Sequence, residues 1–404
     1  MRCLLYSHDS MGLGSARRQL AIAAALHQSV PESKILLATS IDEATHFNAP
    51  AHCAIIKLPT LKKLSSGEYV NPRLGLGGSK LHAFRSAKLL EMVRTFRPTI
   101  VLVDKHPFGV KEELSASLEA AKTIGARIVL GLRDILDERE AVSREWLPSH
   151  TQQRVAEYFD RILIYGMASI FDPVKEYQFP AQLSIRTKFC GYVVNPPNCD
   201  IAPDRFSALA AANRDDRPSI LAMSGGGEDG FNLLKIFIQS ARHASWQGSV
   251  VTGPLLPPHS YRALRQLAKN DCVTLWRFSP NLSKSFSTYD TIVCMGGYNT
   301  LAETLSQGVP VICVPRTKPR SEQLLRAAAF EKLGLLRTIK PDDLNVSNLA
   351  AAINDALQIS RSSLLSRVNS ILEFDGAKQA ASQIVDLCSA KSVASSVASL
   401  SQNG

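Results

Sequence analysis

The residues best suited to binding a ligand follow an apolar run in the second half of the chain, in the stretch TIVCMGGYNTLAE at 291–303. The run predicts a buried strand that ends at Gly296 and Gly297, where missing side chains let backbone N–H groups approach a ligand. Thr300 stands near the start of the next helix, whose dipole and unpaired amides favour a diphosphate. Glu303 follows one turn later, where its carboxylate would accept two hydrogen bonds from a ribose diol. The pattern indicates a nucleotide site; the alternative is an ordinary strand-to-helix turn with a surface Glu.

A second polar loop follows the next predicted strand and reads RTKPRSEQ at 316–323. Its Arg320, Glu322 and Gln323 offer donors and acceptors suited to sugar hydroxyls, although an Arg and a Glu two apart also form ordinary surface ion pairs. Ligands of open α/β sheets bind beyond the carboxyl ends of the strands, so we expect this loop to face the same site as Glu303.

A glycine loop, SGGGEDG at 224–230, follows the first strand of the second half. Its place between a strand and a helix favours a phosphate loop over a flexible turn. The candidate donor-site residues are Ser224, Gly225, Gly226, Gly227, Gly296, Gly297, Asn299, Thr300, Glu303, Arg320, Glu322 and Gln323.

The candidates in the first half also follow strands. Residues 6–18 read YSHDSMGLGSARR and lack the third glycine of a dinucleotide fingerprint, which argues against NAD. His8, at a strand end, can accept a proton from a hydroxyl near neutral pH. Asp104 is a second candidate, either as the base or as the group that orients His8, and Asp134 is a third. For each, a loop-capping role is the alternative. The candidate acceptor residues are Gly12, Gly14, Ser15, Arg18, Arg133 and Asp134.

Short β-branched apolar runs alternate with amphipathic helical stretches, which is typical of parallel sheets covered on both faces. They predict two doubly wound units. Pro196 and Pro197 cannot continue a helix or a central strand, so we place the linker near residue 195. The strands are expected at 2–6, 34–38, 53–58, 99–104, 127–131 and 161–165, and in a second series at 219–224, 249–252, 273–278, 291–295 and 310–315.

Composition narrows the class of protein. With 404 residues, 45% of them hydrophobic and 20% charged, the chain suits a two-domain globular enzyme. The polar His8 and Asp9 end the first apolar run before a signal peptide can form, so we expect a cytoplasmic protein. The sequence has no C-x-x-C, H-E-x-x-H or D-x-D motif, which favours a reaction without a metal or a bound cofactor.

The positive charge of the chain is concentrated in one segment. Between Lys57 and Arg97, nine Lys or Arg residues stand against Glu68 and Glu91, a net charge of +7. Such a segment is often only a solvated face, but it could also meet anionic lipid head groups or an acidic acceptor. We expect no nucleic-acid partner and a possible peripheral site on the inner face of the membrane.

The stretch 291–333 resembles the donor-binding region of the MurG-like group of glycosyltransferases, and the resemblance extends over most of residues 1–345. It assigns the ribose to Glu303, and it assigns the diphosphate to Gly296, Gly297 and Thr300. It assigns sugar hydroxyls to Gln323 with Glu322. The chain departs from MurG at Arg320 and Glu322. It also has Ser15 where the relatives usually carry the His of G-x-G-H.

The resemblance implies a GT-B fold, an α/β architecture in which two Rossmann-like domains with parallel sheets face each other across a cleft. Residues 1–195 would bind the acceptor, 196–388 would bind the nucleotide-sugar, and 389–404 would be a flexible tail. A final helix at 377–387 would return to the first domain.

The same resemblance implies transfer, with inversion, from a nucleoside diphosphate sugar, with uridine as the base, to a glycan or lipid-linked hydroxyl. Two rivals remain at this stage. One is a nucleotide-sugar epimerase on the same fold, and the other is a non-catalytic donor-binding subunit, which Ser15 keeps open.

Overall fold

A computed structural model of the protein describes residues 1–8, 13–41, 49–50, 52–63, 69–71, 75–147, 150–195, 216–270 and 273–400. Gly12 and both linker prolines lie outside these residues. The chain divides into two compact units. Unit 1 comprises Met1–Asp134, Arg139–Val193 and Asp375–Gly404, and unit 2 comprises Ile135–Glu138 and Val194–Phe374.

Unit 1 is built on a parallel sheet of seven strands in the order β10-β9-β8-β7-β1-β2-β3. The interiors of the central strands are apolar and buried because helices cover both faces of such a sheet. The strands are β1 (Arg2–Tyr6), β2 (Lys34–Thr39), β3 (Cys53–Lys57), β7 (Ile100–Asp104), β8 (Arg127–Arg133), β9 (Arg161–Tyr165) and β10 (Thr187–Phe189).

A small antiparallel sheet, absent from the sequence prediction, lies between β3 and β7 in the chain. Its strands are β4 (Lys62–Lys63), β5 (Tyr69–Asn71) and β6 (Leu76–Gly77). Strands of two or three residues carry too little apolar periodicity to be detected in a sequence.

The helices of unit 1 include one from the far end of the chain. The last helix, α14, packs against α1, the helix after β1, through buried alanines and Ile384. This helix continues through most of the segment 389–404 that was expected to be a tail. It belongs to unit 1, whereas the expected range 196–388 had placed its first part in the second domain. The helices are α1 (Gly14–Ser29), α2 (Gly78–Phe96), α3 (Ser115–Thr123), α4 (Arg139–Trp146), α5 (Thr151–Tyr158), α6 (Pro173–Glu176), α7 (Ala181–Arg186) and α14 (Gly376–Leu400).

Unit 2 is built on a parallel sheet of six strands in the order β13-β12-β11-β14-β15-β16. One core, containing Phe237, Trp246 and Ile353, packs between the sheet and its helices. The strands are β11 (Ser219–Met223), β12 (Gln247–Val251), β13 (Val273–Trp276), β14 (Thr291–Cys294), β15 (Val311–Cys313) and β16 (Arg337–Thr338), and the helices are α8 (Phe231–Ser240), α9 (Pro258–Leu267), α10 (Tyr298–Leu305), α11 (Glu322–Lys332), α12 (Val346–Leu357) and α13 (Arg361–Ile371).

Each parallel sheet has one point where the strand order reverses, and this point locates the candidate site of that unit. In unit 1 the order reverses between β1 and β7, and in unit 2 between β11 and β14. The paired strands end level with each other, since Tyr6 pairs with Val103 and Met223 pairs with Cys294. Ligands of open α/β sheets bind in the crevice at such reversals. His8 and Asp104 flank the first reversal, and Ser224 and Gly296 follow the strands at the second.

Candidate functional site

The turn from β14 into α10 presents backbone donors at a helix N-terminus. Gly297, in extended conformation, is the N-cap, and the first helical hydrogen bond runs from the Leu301 N–H to the Gly297 carbonyl at 3.0 Å. The N–H groups of Tyr298, Asn299 and Thr300 therefore precede the helical ladder and point out of the N-terminal end. This geometry and the helix dipole suit an anion.

The two glycines of this turn have different roles from the one expected. The Gly296 N–H donates to the Cys313 sulfur at 3.2 Å, and the Gly297 N–H donates to the Met295 carbonyl. The expected amide donors of Gly296 and Gly297 thus have acceptors within the unit. A Cβ on Gly296 would lie 2.9 Å from the Gln323 carbonyl, so packing requires this glycine. A Cβ on Gly297 would meet nothing closer than 3.8 Å, which leaves room there for a ligand.

Glu303 lies deeper than expected. Its side chain is 2% exposed, and one carboxylate oxygen accepts a hydrogen bond from the Asn195 amide at 2.9 Å. The alternative of a surface Glu at an ordinary strand-to-helix turn is therefore wrong. The contact of Asn195 with Glu303 was not expected from the sequence, because 108 residues separate the two. The asparagine fixes the orientation of the carboxylate one turn from the helix N-terminus.

The glycine loop after β11 is packed backbone to backbone against the loop after β12. Gly227 has φ +101°, and a Cβ there would lie 2.4 Å from the Thr252 carbonyl. The Ser224 hydroxyl donates to the same carbonyl at 2.8 Å, so Ser224 holds the loop. Gly225, with φ +62°, has open space where its Cβ would be. Gly226, between them, is half-buried.

Arg316 organises the loop 316–323 that the sequence assigned to sugar hydroxyls. One guanidinium nitrogen donates to Asp229 of the glycine loop at 3.1 Å, and another donates to the buried Glu322 at 3.0 Å. The Arg316 N–H donates to the Gln323 side-chain oxygen at 3.1 Å, which orients the amide. Sequence analysis missed Arg316 and Asp229. An ion pair at this loop joins Glu322 to Arg316.

A third group of contacts reaches this loop from Ile135–Glu138, the short segment of the first half that belongs to unit 2. The buried Asp137 accepts the Ser321 N–H at 2.9 Å and lies 3.8 Å from the Arg320 guanidinium. Asp137 was not a sequence candidate, because nothing in its neighbours distinguishes it from an ordinary loop aspartate.

In unit 1, Asp104 is fully buried in a charged pair. Arg18 donates to both carboxylate oxygens, the shorter contact being 2.7 Å, and the Ser15 hydroxyl donates to one of them. The Arg18 guanidinium also lies over the ring of Tyr165. Ser15 and Arg18 were expected to bind the acceptor, and the structure instead brings them to Asp104. Both oxygens of the Asp104 carboxylate are therefore engaged by hydrogen bonds within unit 1.

His8 lies beside a second histidine. Its ring centre is 5.3 Å from that of His106, and His106 forms a contact through Nε2 with Glu145. His8 is buried, whereas His106 is about one third exposed. His106 was not expected from the sequence. The available signal was that His106, like His8, closely follows a predicted strand.

Two of the remaining acceptor candidates lie at the end of β8. Arg133 is the last residue of that strand and is half-buried, and Asp134 follows it and is 1% exposed. Asp134 packs against Gly166, where a Cβ would approach within 2.6 Å of the Asp134 Cβ. Gly14 begins α1. Within the described residues, no group of three or more His, Cys, Asp or Glu is arranged to hold a metal ion.

Comparison with known proteins places these features in a class. Residues 257–384 match the sequence profile described as the glycosyltransferase family 28 C-terminal domain. The NDP-glycosyltransferase YjiC of Bacillus subtilis is 26% identical over 261 residues, which are 63% of this chain and 62% of that protein. The UDP-N-acetylglucosamine–N-acetylmuramyl-(pentapeptide) pyrophosphoryl-undecaprenol N-acetylglucosamine transferase of Leuconostoc citreum is 27% identical over 52% of this chain and 57% of its own length. The chain thus aligns with less than two thirds of either relative.

Solved structures agree on the fold. MurG of Acinetobacter baumannii superposes with a TM-score of 0.59 at 12% identity, over 95% of this chain and 99% of that one. A UDP-glucosyltransferase of Polygonum tinctorium gives a TM-score of 0.65 at 14% identity, over 96% and 98%.

Two parallel-sheet units, each with its polar loops at a strand-order reversal, and the likeness to these solved structures define the GT-B fold. Residues 257–384 are similar to the family 28 C-terminal domain, and the chain is similar in sequence to a MurG-like N-acetylglucosamine transferase. The fold and the family resemblance expected from the sequence are confirmed.

Proposed function

We propose that the protein transfers a sugar from a nucleoside diphosphate sugar to a hydroxyl acceptor, with inversion and without a metal ion. The observation that carries the proposal is Glu303, a buried carboxylate held by Asn195 one turn from the N-terminus of α10, at the sheet reversal of unit 2. A diphosphate on the helix end and a ribose diol on Glu303 suit this arrangement.

The names of the relatives support uridine diphosphate as the carrier. The Leuconostoc citreum protein uses UDP-N-acetylglucosamine and a lipid-linked acceptor by name, and the Polygonum tinctorium protein is a UDP-glucosyltransferase. The donor proposed for this chain is accordingly a UDP-sugar, and the acceptor is a glycan or a lipid-linked hydroxyl.

His8 is the proposed base among the sequence candidates. It follows β1 at the reversal of unit 1, whereas the Asp104 carboxylate is engaged by Arg18 and Ser15. His8 would take the proton of the acceptor hydroxyl as that oxygen attacks the anomeric carbon. The bond from that carbon to the diphosphate breaks, and the N-terminal amides of α10 stabilise the departing charge.

Product analysis in excess chelator tests the proposal. The protein would be incubated with UDP-N-acetylglucosamine or UDP-glucose, with and without glycan and polyprenyl-phosphate acceptors. Release of UDP that requires an acceptor supports a transferase, whereas a changed sugar without an acceptor identifies an epimerase. Donor binding without turnover identifies a donor-binding subunit, and activity abolished by the chelator removes the metal-free mechanism.

Glu303→Gln is expected to weaken UDP binding by roughly 1–3 kcal/mol, because a charged acceptor of the ribose hydrogen bonds is lost. The glutamine can retain a bond to Asn195, so the fold should survive better than with Glu303→Ala, which leaves the Asn195 amide without this acceptor. Calorimetric titration with UDP gives the measurement, and Glu32→Gln, on the surface of unit 1, is the control. Unchanged affinity would remove Glu303 from the nucleotide site.

The second part of the proposal is a peripheral association with anionic membranes, and it rests on the basic segment from Lys57 to Arg97. On α2, Phe84 is 52% exposed and lies one turn from Lys80 on one side and from Lys88 on the other. An exposed aromatic ring between two lysines is typical of helices that lie in a membrane interface. Among the described residues, no helix is long and apolar enough to span a membrane.

Arg85 does not belong to this basic surface, contrary to the sequence prediction. It is 1% exposed and pairs with Glu113 at 2.6 Å, while Tyr6 also donates to Glu113. Burial acts to lower the pKa of Arg85, but the hydrogen bond and charge of Glu113 outweigh it, so that pKa lies above its ordinary value. The ion pair between Arg85 and Glu113 therefore holds α2 against the rest of unit 1.

Vesicle sedimentation is expected to show binding to anionic vesicles only. Each lysine near the surface adds about 1 kcal/mol, and screening by high salt should abolish the binding. Replacing Lys80, Phe84 and Lys88 together with Ser should release the protein, whereas Lys122→Ser with Lys175→Ser, elsewhere on unit 1, should not. Equal binding to neutral vesicles, or none to either, would contradict the membrane proposal.

A further inference from the structure

The four-residue segment Ile135–Glu138 belongs to unit 2 although its neighbours in the chain on both sides belong to unit 1. Ile135, Leu136 and Asp137 are all buried. A loop excursion of this kind loses conformational entropy when it is fixed, so contacts with unit 2 must compensate for that loss. The contacts of the segment are therefore informative about what it does.

The first contact is at the start of α11. This helix begins at Glu322 after Ser321, whose own side chain makes no capping hydrogen bond. Asp137 supplies a carboxylate oxygen to the Ser321 N–H at 2.9 Å, and it also accepts the Glu138 N–H at 3.0 Å. A negative charge at a helix N-terminus is stabilising because it faces the positive end of the dipole. Asp137 therefore fixes where the loop 316–323 becomes helix.

The second contact fixes the neighbouring side chain. The Arg320 guanidinium lies 3.8 Å from the other oxygen of Asp137. Arg320 and Gln323, one on either side of Ser321 and Glu322, are the candidates for sugar hydroxyls in this loop. Because Asp137 holds both the backbone of Ser321 and the charge of Arg320, a shift of Asp137 would displace the polar groups offered to the sugar.

The third contact joins the same segment to the turn after β14. Arg326 of α11 is 1% exposed and donates to the Gly296 carbonyl at 3.0 Å and to the Ile135 carbonyl at 3.5 Å. Its guanidinium also lies over the Tyr298 ring. The segment thus reaches the glycine turn through Arg326 and the sugar loop through Asp137. The contacts of Arg326 and those of Asp137 involve different side chains, so each set can be removed by its own substitution.

We propose that Asp137 is a positioning residue of the donor site, which sets the place of Arg320 and Gln323 and thereby the recognition of the sugar part of the donor. The inference rests on the proposed function. It goes beyond that function by assigning sugar recognition to a segment from the first half of the sequence. Asp137 acts through the loop and is not itself a catalytic residue.

Two affinities measured on the same variants test the inference. UDP reports the diphosphate and ribose contacts, and UDP-N-acetylglucosamine or UDP-glucose, whichever the wild type binds more tightly, adds the sugar. Asp137→Ala is expected to raise the Kd of the UDP-sugar about tenfold, the scale of one charged hydrogen bond, and to leave the Kd of UDP within about twofold. Asp137→Asn keeps an oxygen for the Ser321 N–H but loses the charge opposite Arg320, so it should fall between Ala and the wild type.

Asp172→Asn is the matched control, since Asp172 caps α6 of unit 1 by accepting the N–H groups of Val174 and Lys175. It should leave both affinities unchanged. If Asp137→Ala changes both affinities by the same factor, or changes neither while thermal unfolding shows a folded protein, Asp137 does not position the sugar site. If the wild type binds neither UDP nor a UDP-sugar, the proposed function itself fails, and the inference fails with it.

Discussion

His8→Ala is expected to lower kcat by about 10²–10⁴-fold, the usual contribution of a general base, while the affinity for UDP stays unchanged. The reason is that His8 stands at the sheet reversal of unit 1, whereas the proposed nucleotide contacts all belong to unit 2. Steady-state kinetics with saturating donor and acceptor gives kcat, and calorimetry gives the affinity for UDP.

Two further histidine variants make this result specific. His259→Ala, at an exposed position in α9, should have no effect on kcat. His106→Ala removes the neighbouring ring but leaves His8 in place. Should His106→Ala lose as much activity as His8→Ala, or more, the role of base would pass to His106 with its partner Glu145. Full activity of both variants would leave the reaction without a histidine base.

Asp104→Ala is expected to lower the free energy of unfolding by about 3–5 kcal/mol, because it leaves the buried Arg18 guanidinium without its carboxylate. Replacing both members, Arg18→Met with Asp104→Leu, should recover much of that loss, since apolar residues of similar volume often substitute for a buried ion pair at little cost. Urea unfolding of the wild type, the single variants and the double variant gives the four values needed.

The same variants separate structure from catalysis at Asp104. A double variant that is stable and retains turnover would show that Asp104 and Arg18 serve the fold. A stable Asp104→Asn variant without activity would instead return Asp104 to the role of base and would contradict the assignment of His8.

The architecture could be predicted from the sequence because its signals are local. The strands expected at 2–6 and 161–165 have the same bounds in the structure, and most of the others differ by one or two residues at an end. Runs of β-branched apolar residues in a sheet covered on both faces depend on neighbours in the chain. β10 and β16, of three and two residues, lie below that signal.

The contacts inside the candidate sites could not be predicted in the same way. Asn195 with Glu303, Arg316 with Asp229, and Asp137 with Ser321 are separated by 108, 87 and 184 residues, respectively. Each depends on which loops the order of strands brings together, and a single sequence does not reveal that order. The types of residue at the strand ends can be read from the sequence, whereas the residues with which they form hydrogen bonds and ion pairs cannot. For that reason Arg18 and Asp104 were assigned separate roles although they form one ion pair.

The interleaving of the two units has a consequence for recombination between relatives. The chain crosses from one unit to the other after Asp134, Glu138, Val193 and Phe374. A gene fusion at residue 195, the natural place to join halves of two transferases, would pair α1 with a foreign α14. It would likewise pair α11 with a foreign segment in place of Ile135–Glu138. Exchange of donor specificity between such proteins therefore requires that the two separate stretches of unit 2, Ile135–Glu138 and Val194–Phe374, be exchanged together, which a single crossover near residue 195 does not achieve.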